Sequence, residues 1–291
     1  MNKLNIFCFG FGQVAKNFVL KIKSENISFN LNTTSREQSK KKIFENIYYQ
    51  NFYFDKNEFD KDLINKLDEA DHILISIPPI NNKDIVIENF EKNFNSKKLK
   101  WITYLSATSV YGNHQGKWVN EKSITNPTSA NGILRLNTEK NWLKLSRNFD
   151  LPLQIFRLSG IYSNQHNILK KLRLGEVKIV NKKDHFFSRI HVEDIANVLH
   201  KSLKNIKKGE IFNISDDKPA PSKELIMHGV KLLGINKPQT IEVEDIESEM
   251  LKNFYKDSKK VSNKKMKNFF KFNLKFPTYI EGLNHINNNF I

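Results

Sequence analysis

The first twenty residues constrain the fold of this chain more than any other segment. A short apolar run is followed by the pattern Gly10-x-Gly12-x-x-Ala15 and then by apolar residues at helical spacing. This order predicts a strand, a tight turn and a helix, the context in which such a glycine pattern binds a dinucleotide. Gly10 would permit a positive φ, Gly12 would let a pyrophosphate approach the backbone, and Ala15 would let the helix pack closely on the strand.

The start of the predicted helix adds two residues to the candidate cofactor site. Phosphates bind to the free N–H groups and the positive dipole end of a helix N-terminus. We therefore count Gln13 and Val14 with Gly10 and Gly12 as cofactor-binding candidates. A glycine-rich turn without a ligand is the alternative, because this pattern on its own is common.

The end of the second predicted strand bears on the choice of cofactor. Residues 27–32 are strand-like and lead into Thr33-Thr34-Ser35-Arg36, about where a carboxylate would bind the adenine ribose of NAD. Ser35 and Arg36 stand there instead, and the arginine fork suits a phosphate. We therefore predict NADP in preference to NAD. Alternatively, or in addition, Arg36 opens a helix over SREQSKKKIF with Ser35 as its N-cap.

Composition argues against a nucleic-acid interface in spite of a formal net charge of +16. Only six of the 47 basic residues are arginine, the lysines are scattered in short runs, and no aromatic–basic repeat accompanies them. A solvated basic face is favoured, and RNA binding through that face stays the weaker alternative. The positive field would attract a small anionic substrate.

The single cysteine, Cys8, offers neither a disulfide framework nor a metal cluster, and no His/Cys/carboxylate spacing predicts a metal site. No stretch approaches the ~18–20 apolar residues of a membrane span. The apolar amino terminus lacks a small-residue cleavage site. We therefore expect a cytoplasmic protein without membrane association.

Strand-like and helix-like segments alternate in the first half of the chain, which predicts an α/β fold with a doubly wound parallel sheet. Strands are predicted at 47–54, 72–77, 101–106 and 153–158, and helices at 59–67 and 129–145. Ligands bind beyond the carboxyl ends of such strands. Ile77, Pro78 and Ser106 therefore join the cofactor-binding candidates.

The second half is less regular, and we predict a small cap assembled from non-contiguous segments. A strand is expected at 211–214, and helices at 195–203, from Pro221 through Leu233, at about 240–256 and at 262–270. The predicted dinucleotide-binding domain comprises 1–161 and about 187–214. The predicted cap comprises about 162–186 and 215–291.

Five motifs in this order resemble those of the extended short-chain dehydrogenases/reductases, and within them the NAD-dependent epimerase/dehydratase group. They are GFGQVA, LSATSVYG (105–112), FRLSGIY (156–162), SRIHVEDIA (188–196) and FNISDD (212–217). The resemblance spans nearly the whole chain and implies a Rossmann-type sheet, a C-terminal cap and an NAD(P) cofactor. The spacing of the glycine turn differs from the GxxGxxG of ordinary members and is similar to that of an atypical branch.

The resemblance breaks at the catalytic triad of that family, which is a Ser or Thr, a Tyr and a Lys. The corresponding positions hold Ala107, Asn131 and Arg135 when Glu139 is aligned with the family's glutamate. An amide does not exchange a proton near neutral pH, and arginine is always protonated. The usual hydride transfer to a carbonyl therefore cannot be carried over.

Two interpretations of Asn131 and Arg135 stay open. They lie four residues apart on one helix face and could direct an amide and a cation at the nicotinamide ribose or at an anionic substrate. Alternatively, Arg135 and Glu139 form an i,i+4 ion pair on a solvated face.

Other candidates follow the strands. Thr108, Ser109 and Tyr111 could substitute as hydroxyl groups, although Tyr111 is more readily interpreted as a packing residue. His191 is more readily a structural histidine than a base. Arg189 is the candidate for binding the anion of a substrate.

Two classes of function follow. The favoured one is an atypical NADP(H)- or NAD(H)-binding oxidoreductase or epimerase acting on a nucleotide sugar or another small anion. The competing one is a non-catalytic cofactor-binding protein, either a redox sensor or an assembly factor. The oligomeric state does not follow from the sequence, which is compatible with a dimer.

Overall fold

The computed structural model describes residues 3–80, 83–94 and 97–290. By Cα packing the chain divides into two compact units. The first unit comprises Met1–Ser106, Leu134–Arg157 and Ile195–Phe212, and the second comprises Ala107–Ile133, Leu158–Asp194 and Asn213–Ile291. The domain boundaries expected from the sequence stay a prediction.

The described residues form fifteen strands, numbered in chain order. They are β1 (Leu4–Phe9), β2 (Phe29–Ser35), β3 (Lys40–Phe44), β4 (Ile47–Asp55), β5 (Glu58–Phe59), β6 (His72–Ile75), β7 (Trp101–Ala107), β8 (Trp118–Val119), β9 (Leu153–Leu158), β10 (Gly160–Tyr162), β11 (Ile179–Val180), β12 (Arg189–His191), β13 (Glu210–Ile214), β14 (Thr240–Ile241) and β15 (Lys260–Val261).

Ten α-helices accompany the strands in the same part of the chain. They are α1 (Gln13–Ser24), α2 (Asp62–Asp68), α3 (Ile85–Phe90), α4 (Ala130–Phe149), α5 (Ile168–Arg173), α6 (Val192–Ser202), α7 (Ser222–Leu233), α8 (Glu249–Lys256), α9 (Lys264–Phe270) and α10 (Tyr279–Phe290). None of the described helices is both long enough and apolar enough to cross a membrane.

One nine-stranded sheet dominates the fold, with the order β13-β9-β7-β6-β1-β2-β4-β3 and with β5 paired to β4. The pairs β1–β2, β1–β6, β6–β7 and β2–β4 are parallel. The predicted α/β fold class with a Rossmann-type parallel sheet is confirmed. The carboxyl ends of its strands hold the candidate cofactor residues.

The helix predicted to begin at Arg36 is wrong, because a β-hairpin of β3 and β4 stands in its place. The two strands are antiparallel, and the turn between them uses positive φ at Glu45 (48°) and Asn46 (58°). Two consecutive residues with positive φ are typical of the two-residue hairpin turn that matches the twist of a sheet. The chain thus leaves β2, forms β3 at the edge of the sheet, and then forms β4 between β3 and β2.

The predicted helix at about 240–256 is wrong in its first half. Residues Thr240–Ile241 form β14, and α8 begins only at Glu249. Ser248 ends the preceding loop, and its hydroxyl accepts a hydrogen bond from the N–H of Leu251. This N-cap explains where the helix starts.

Each unit has an apolar core of its own. The first unit packs aromatic residues of β1, β4 and α3 against Trp142 of α4; Phe9, Phe90 and Trp142 are completely buried. The second unit has smaller clusters, one of which joins Tyr162 and Leu169 to α10. The first core includes Phe9 and Ile75, the last residues of β1 and β6.

Candidate functional site

Gly10 forms the turn between β1 and α1 and has a φ of +85°. Its N–H donates to the buried Thr34 hydroxyl at 2.9 Å, and its carbonyl accepts from the Ser76 hydroxyl at 3.1 Å. A Cβ at this position would lie 2.8 Å from the Ser76 oxygen. Both the backbone conformation and the space therefore require glycine here.

Gly12 precedes α1 and leaves open space in front of the helix. Apart from Gly12 and its two chain neighbours, no described atom lies within 4 Å of where its Cβ would be. Gly12 is the N-cap of α1 and makes no side-chain cap hydrogen bond, and the first turn of the helix, which includes Gln13 and Val14, contains no acidic residue. A helix N-terminus with a glycine as its N-cap and open space in front of it is a cradle for an anion, so these residues fit a pyrophosphate.

Ile77 and Pro78 follow the end of β6, as predicted. A Cβ on Gly10 would lie 3.1 Å from Cγ1 of Ile77, so the structure brings Ile77 to the glycine turn. Pro78 is exposed in the loop that follows. The ends of β1 and β6 thus meet where a Rossmann-type sheet binds its ligand.

Arg36 opens no helix, and its role with a phosphate stays a prediction. Its Nε lies 3.3 Å from Oδ1 of Asp55 at the end of β4, and its side chain is 74% exposed. Ser35 caps no helix, but its hydroxyl accepts a hydrogen bond from the N–H of Glu37 at 3.2 Å. Sequence analysis missed Asp55, because only the pairing of β2 with β4 brings it beside Arg36.

Ser106 lies in the interior, near the end of β7. Its hydroxyl donates to Oε1 of Glu139 at 2.6 Å. Glu139 is buried and also accepts from Nε and Nη2 of Arg157, at 3.0 and 2.7 Å. The interpretation of Arg135 and Glu139 as a solvated ion pair is therefore wrong, since Glu139 pairs with Arg157 inside the unit.

Arg135 instead anchors to the end of β7. Its Nη1 donates to the carbonyl of Leu105 at 3.0 Å, and its side chain is half-buried. Asn131 lies one turn earlier on α4 and is exposed. Arg135 thus presents a fixed cation at the carboxyl end of a central strand.

The second unit holds the remaining catalytic candidates. Tyr111 is completely buried, and its hydroxyl donates to Oδ1 of Asn213 at 2.7 Å. Thr108 opens the 3₁₀ turn Thr108–Tyr111 and is half-buried. The geometry favours the packing interpretation of Tyr111.

His191 has the surroundings of a structural histidine. It is completely buried between the rings of Phe276 and Tyr162, at 4.3 and 5.0 Å, and its Nδ1 accepts from the N–H of Glu193. Burial lowers the pKa of His191 to about 4. The imidazole is therefore neutral near neutral pH.

Arg189 is buried, and its Nη1 donates to the carbonyls of Phe187 and Ala220, each at 3.1 Å. Its role with a substrate anion stays a prediction. Asp216 is buried nearby, and burial raises the pKa of its carboxyl well above the usual range. In the described part of the chain, no group of three or more His, Cys, Asp or Glu is placed to hold a metal ion.

The fold and the glycine turn define a Rossmann-type α/β protein. Comparison with protein families confirms the resemblance seen in the sequence motifs, because residues 89–215 match the NAD dependent epimerase/dehydratase family. The comparison with curated proteins found no match.

Solved structures show the same fold along the whole chain. A functionally unknown conserved protein from Silicibacter pomeroyi is 29% identical, covers 98% of both chains and has a TM-score of 0.86. A dTDP-glucose 4,6-dehydratase from Bacillus anthracis, in complex with NAD, is 17% identical; 98% of this chain and 96% of that chain are covered, with a TM-score of 0.76. A UDP-N-acetylglucosamine 4-epimerase from Bacillus cereus is 19% identical, covers 97% of both chains and has a TM-score of 0.75.

Proposed function

We propose that this protein binds a nicotinamide dinucleotide at the turn between β1 and α1, with NADP(H) preferred over NAD(H). The observation that carries the proposal is the open space at Gly12, the N-cap of a helix of twelve residues. The NAD-dependent family of the matching segment supports it. The absence of a carboxylate at Ser35-Arg36 supports the preference for NADP.

A bound nicotinamide supplies hydride chemistry, and the protein must then move a proton. The residues at the triad positions of this chain cannot transfer that proton. Ala107 has no hydroxyl, Asn131 carries an amide, and Arg135 carries a guanidinium that donates to the carbonyl of Leu105. We therefore propose cofactor binding without the usual Ser-Tyr-Lys oxidation, as in a redox sensor or an assembly factor.

An enzyme acting on a small anionic or nucleotide-sugar substrate is the second candidate function. It is favoured by the formal net charge of +16, which would attract an anion, and by the motif SRIHVEDIA that the chain shares with its family. In that case Thr108 or another group would have to supply the proton.

Calorimetry with NADPH and NADH tests the proposal. Gly12→Val should abolish binding of both, because a Cβ at this position meets open space, which the valine side chain would take from the pyrophosphate. Gly12→Ala should weaken binding less, and both variants should melt within a few degrees of the wild type. A wild type that binds neither nucleotide at millimolar concentration would refute the proposal.

A further inference from the structure

The hairpin of β3 and β4 lies directly against the glycine turn. Phe11, the residue between the two glycines, places its ring 4.8 Å from that of Tyr49 and 5.7 Å from that of Phe44. Lys16 of α1 covers the same aromatic cluster, with its Nζ 5.3 Å from the Phe44 ring centre. The hairpin is thus fixed at the turn by aromatic contacts worth about 0.5–1.5 kcal/mol per pair beyond their buried area.

The register of the hairpin determines which of its lysines face this cluster. Lys42 lies opposite Tyr49, and Lys40 lies opposite Asn51. Directly opposed residues of an antiparallel pair share a face of the sheet, so both lysines lie on the face of Tyr49. Lys41 lies opposite Gln50 and therefore on the other face.

The carboxylate of Glu37 stands among these lysines. Lys42 forms an ion pair with Glu37, and the Glu37 carbonyl accepts a hydrogen bond from Nδ2 of Asn51 at 3.4 Å. The hydrogen bond and charge of Lys42, and then the charges of Lys40 and Lys16, lower the pKa of the Glu37 carboxyl. Lys42 thus contacts the carboxylate directly, and the charges of Lys40 and Lys16 add to its surroundings.

This cluster lies just beyond the end of β2, where a Rossmann-type protein binds the ribose of the adenosine. Resting on the proposed function, we infer that Lys16, Lys40 and Lys42 bind the 2′-phosphate of NADP(H). Glu37 is their counter-ion in the absence of nucleotide. Arg36 contributes less, because its guanidinium is already paired with Asp55.

Glu37 should then weaken the binding of NADP(H). A dianionic phosphate has to displace the Glu37 carboxylate from Lys42, whereas the 2′-hydroxyl of NAD(H) can donate to that carboxylate. Glu37→Gln should therefore tighten the binding of NADPH about threefold or more. It should leave the binding of NADH unchanged or weaker, since a charge-assisted hydrogen bond to the carboxylate is about twice as strong as a neutral one.

Lysine substitutions test the site, with Lys41 as the matched control. We expect Lys42→Met and Lys40→Met each to raise the Kd of NADPH about tenfold, the loss of one charge-assisted contact, and to leave that of NADH within about twofold. Lys41→Met, on the opposite face of the same strand, should change neither. Because Lys42 is partly buried, its variant is checked by melting temperature, whereas Lys40 is exposed.

Adenosine 2′,5′-bisphosphate and 5′-AMP separate this inference from the proposed function. The wild type should bind the bisphosphate more tightly, and Lys42→Met should remove most of that difference. Equal binding of NADPH and NADH by the wild type, or equal effects of Lys41→Met and Lys42→Met, would overturn the lysine site and leave dinucleotide binding standing. A wild type that binds no dinucleotide would overturn both.

Discussion

Arg157 and Glu139 form a buried forked ion pair, with Nη2 of Arg157 2.7 Å from Oε2 of Glu139. The pair joins β9 to α4, and the Ser106 hydroxyl of β7 completes it. The aligned glutamate of the family motif therefore has a structural role in this chain.

We expect Arg157→Met to lower the free energy of unfolding by about 3–5 kcal/mol, because Glu139 would remain buried without its cation. Chemical denaturation of the variant and the wild type measures the loss. Lys66→Met is the control, since it removes an exposed ion pair with Glu69 that is worth about 0–1 kcal/mol. Equal losses for the two variants would contradict the role assigned to Arg157.

The ion pair with Asp55 should weaken the interaction of Arg36 with the nucleotide. Asp55→Asn leaves the guanidinium without its counter-ion, and we expect NADPH to bind more tightly while NADH is unaffected. Arg36→Ala should have the opposite and smaller effect, a loss of about 1 kcal/mol or less for an exposed charge. Titration calorimetry at two salt concentrations checks both, and insensitivity of the NADPH affinity to either variant would exclude Arg36 from the site.

Tyr111→Phe should lower stability rather than change nucleotide binding. The variant leaves Oδ1 of Asn213 buried without the tyrosine hydroxyl, which costs about 1–3 kcal/mol. Tyr48→Phe, at a tyrosine that is exposed, should leave stability unchanged. The packing role would be untenable if Tyr111→Phe abolished turnover of some substrate at unchanged stability.

Acid should weaken the fold in part through His185. Burial, followed by the charge of Lys182, lowers the pKa of His185 from 6.5 to about 4. Between these values the unfolded chain binds the proton and the folded chain does not, so the contribution of His185 to stability is lost as the pH falls from 6.5 to 4. The slope for one such group is at most about 1.4 kcal/mol per pH unit.

His185→Phe keeps the ring contacts with Phe187 and Tyr255 and removes the titration. The difference in unfolding free energy between variant and wild type should therefore grow in favour of the variant as the pH falls from 6.5 to 4. Groups common to both proteins cancel in this difference. A constant difference would show that His185 does not titrate in this range.

The wild type should show no oxidation of alcohols or nucleotide sugars of the usual kind, even with saturating cofactor. Ala107, Asn131 and Arg135 cannot deprotonate a hydroxyl. A screen of nucleotide sugars and small carbonyl compounds that follows nicotinamide absorbance checks this expectation. Robust turnover that survives Thr108→Val, Ser109→Ala, Tyr111→Phe and His191→Ala would refute it, because none of the four candidate proton donors would remain.

The strands of the sheet could be predicted from the sequence where the local residue pattern and the tertiary packing favour the same structure. The apolar runs at β6 and β7 and the glycine turn at Gly10 follow directly from residue type. The hairpin did not follow, because SREQSKKKIF is polar and suits a helix. What decides its structure is non-local: the pairing with β4 and the contact of Phe44 with Phe11. The partners of Glu139 and Arg36 lie on other elements, so sequence spacing could not indicate them.

The edge position of β3 gives its lysines a second consequence. An edge strand offers unpaired backbone groups to any other strand, and a row of lysines repels a second copy that would add to it. The ammonium groups of Lys40 and Lys42 would then govern both cofactor preference and colloidal behaviour. A shift from NADP(H) to NAD(H) by replacing them would expose a more adhesive sheet edge, so the two properties could not evolve independently at this strand.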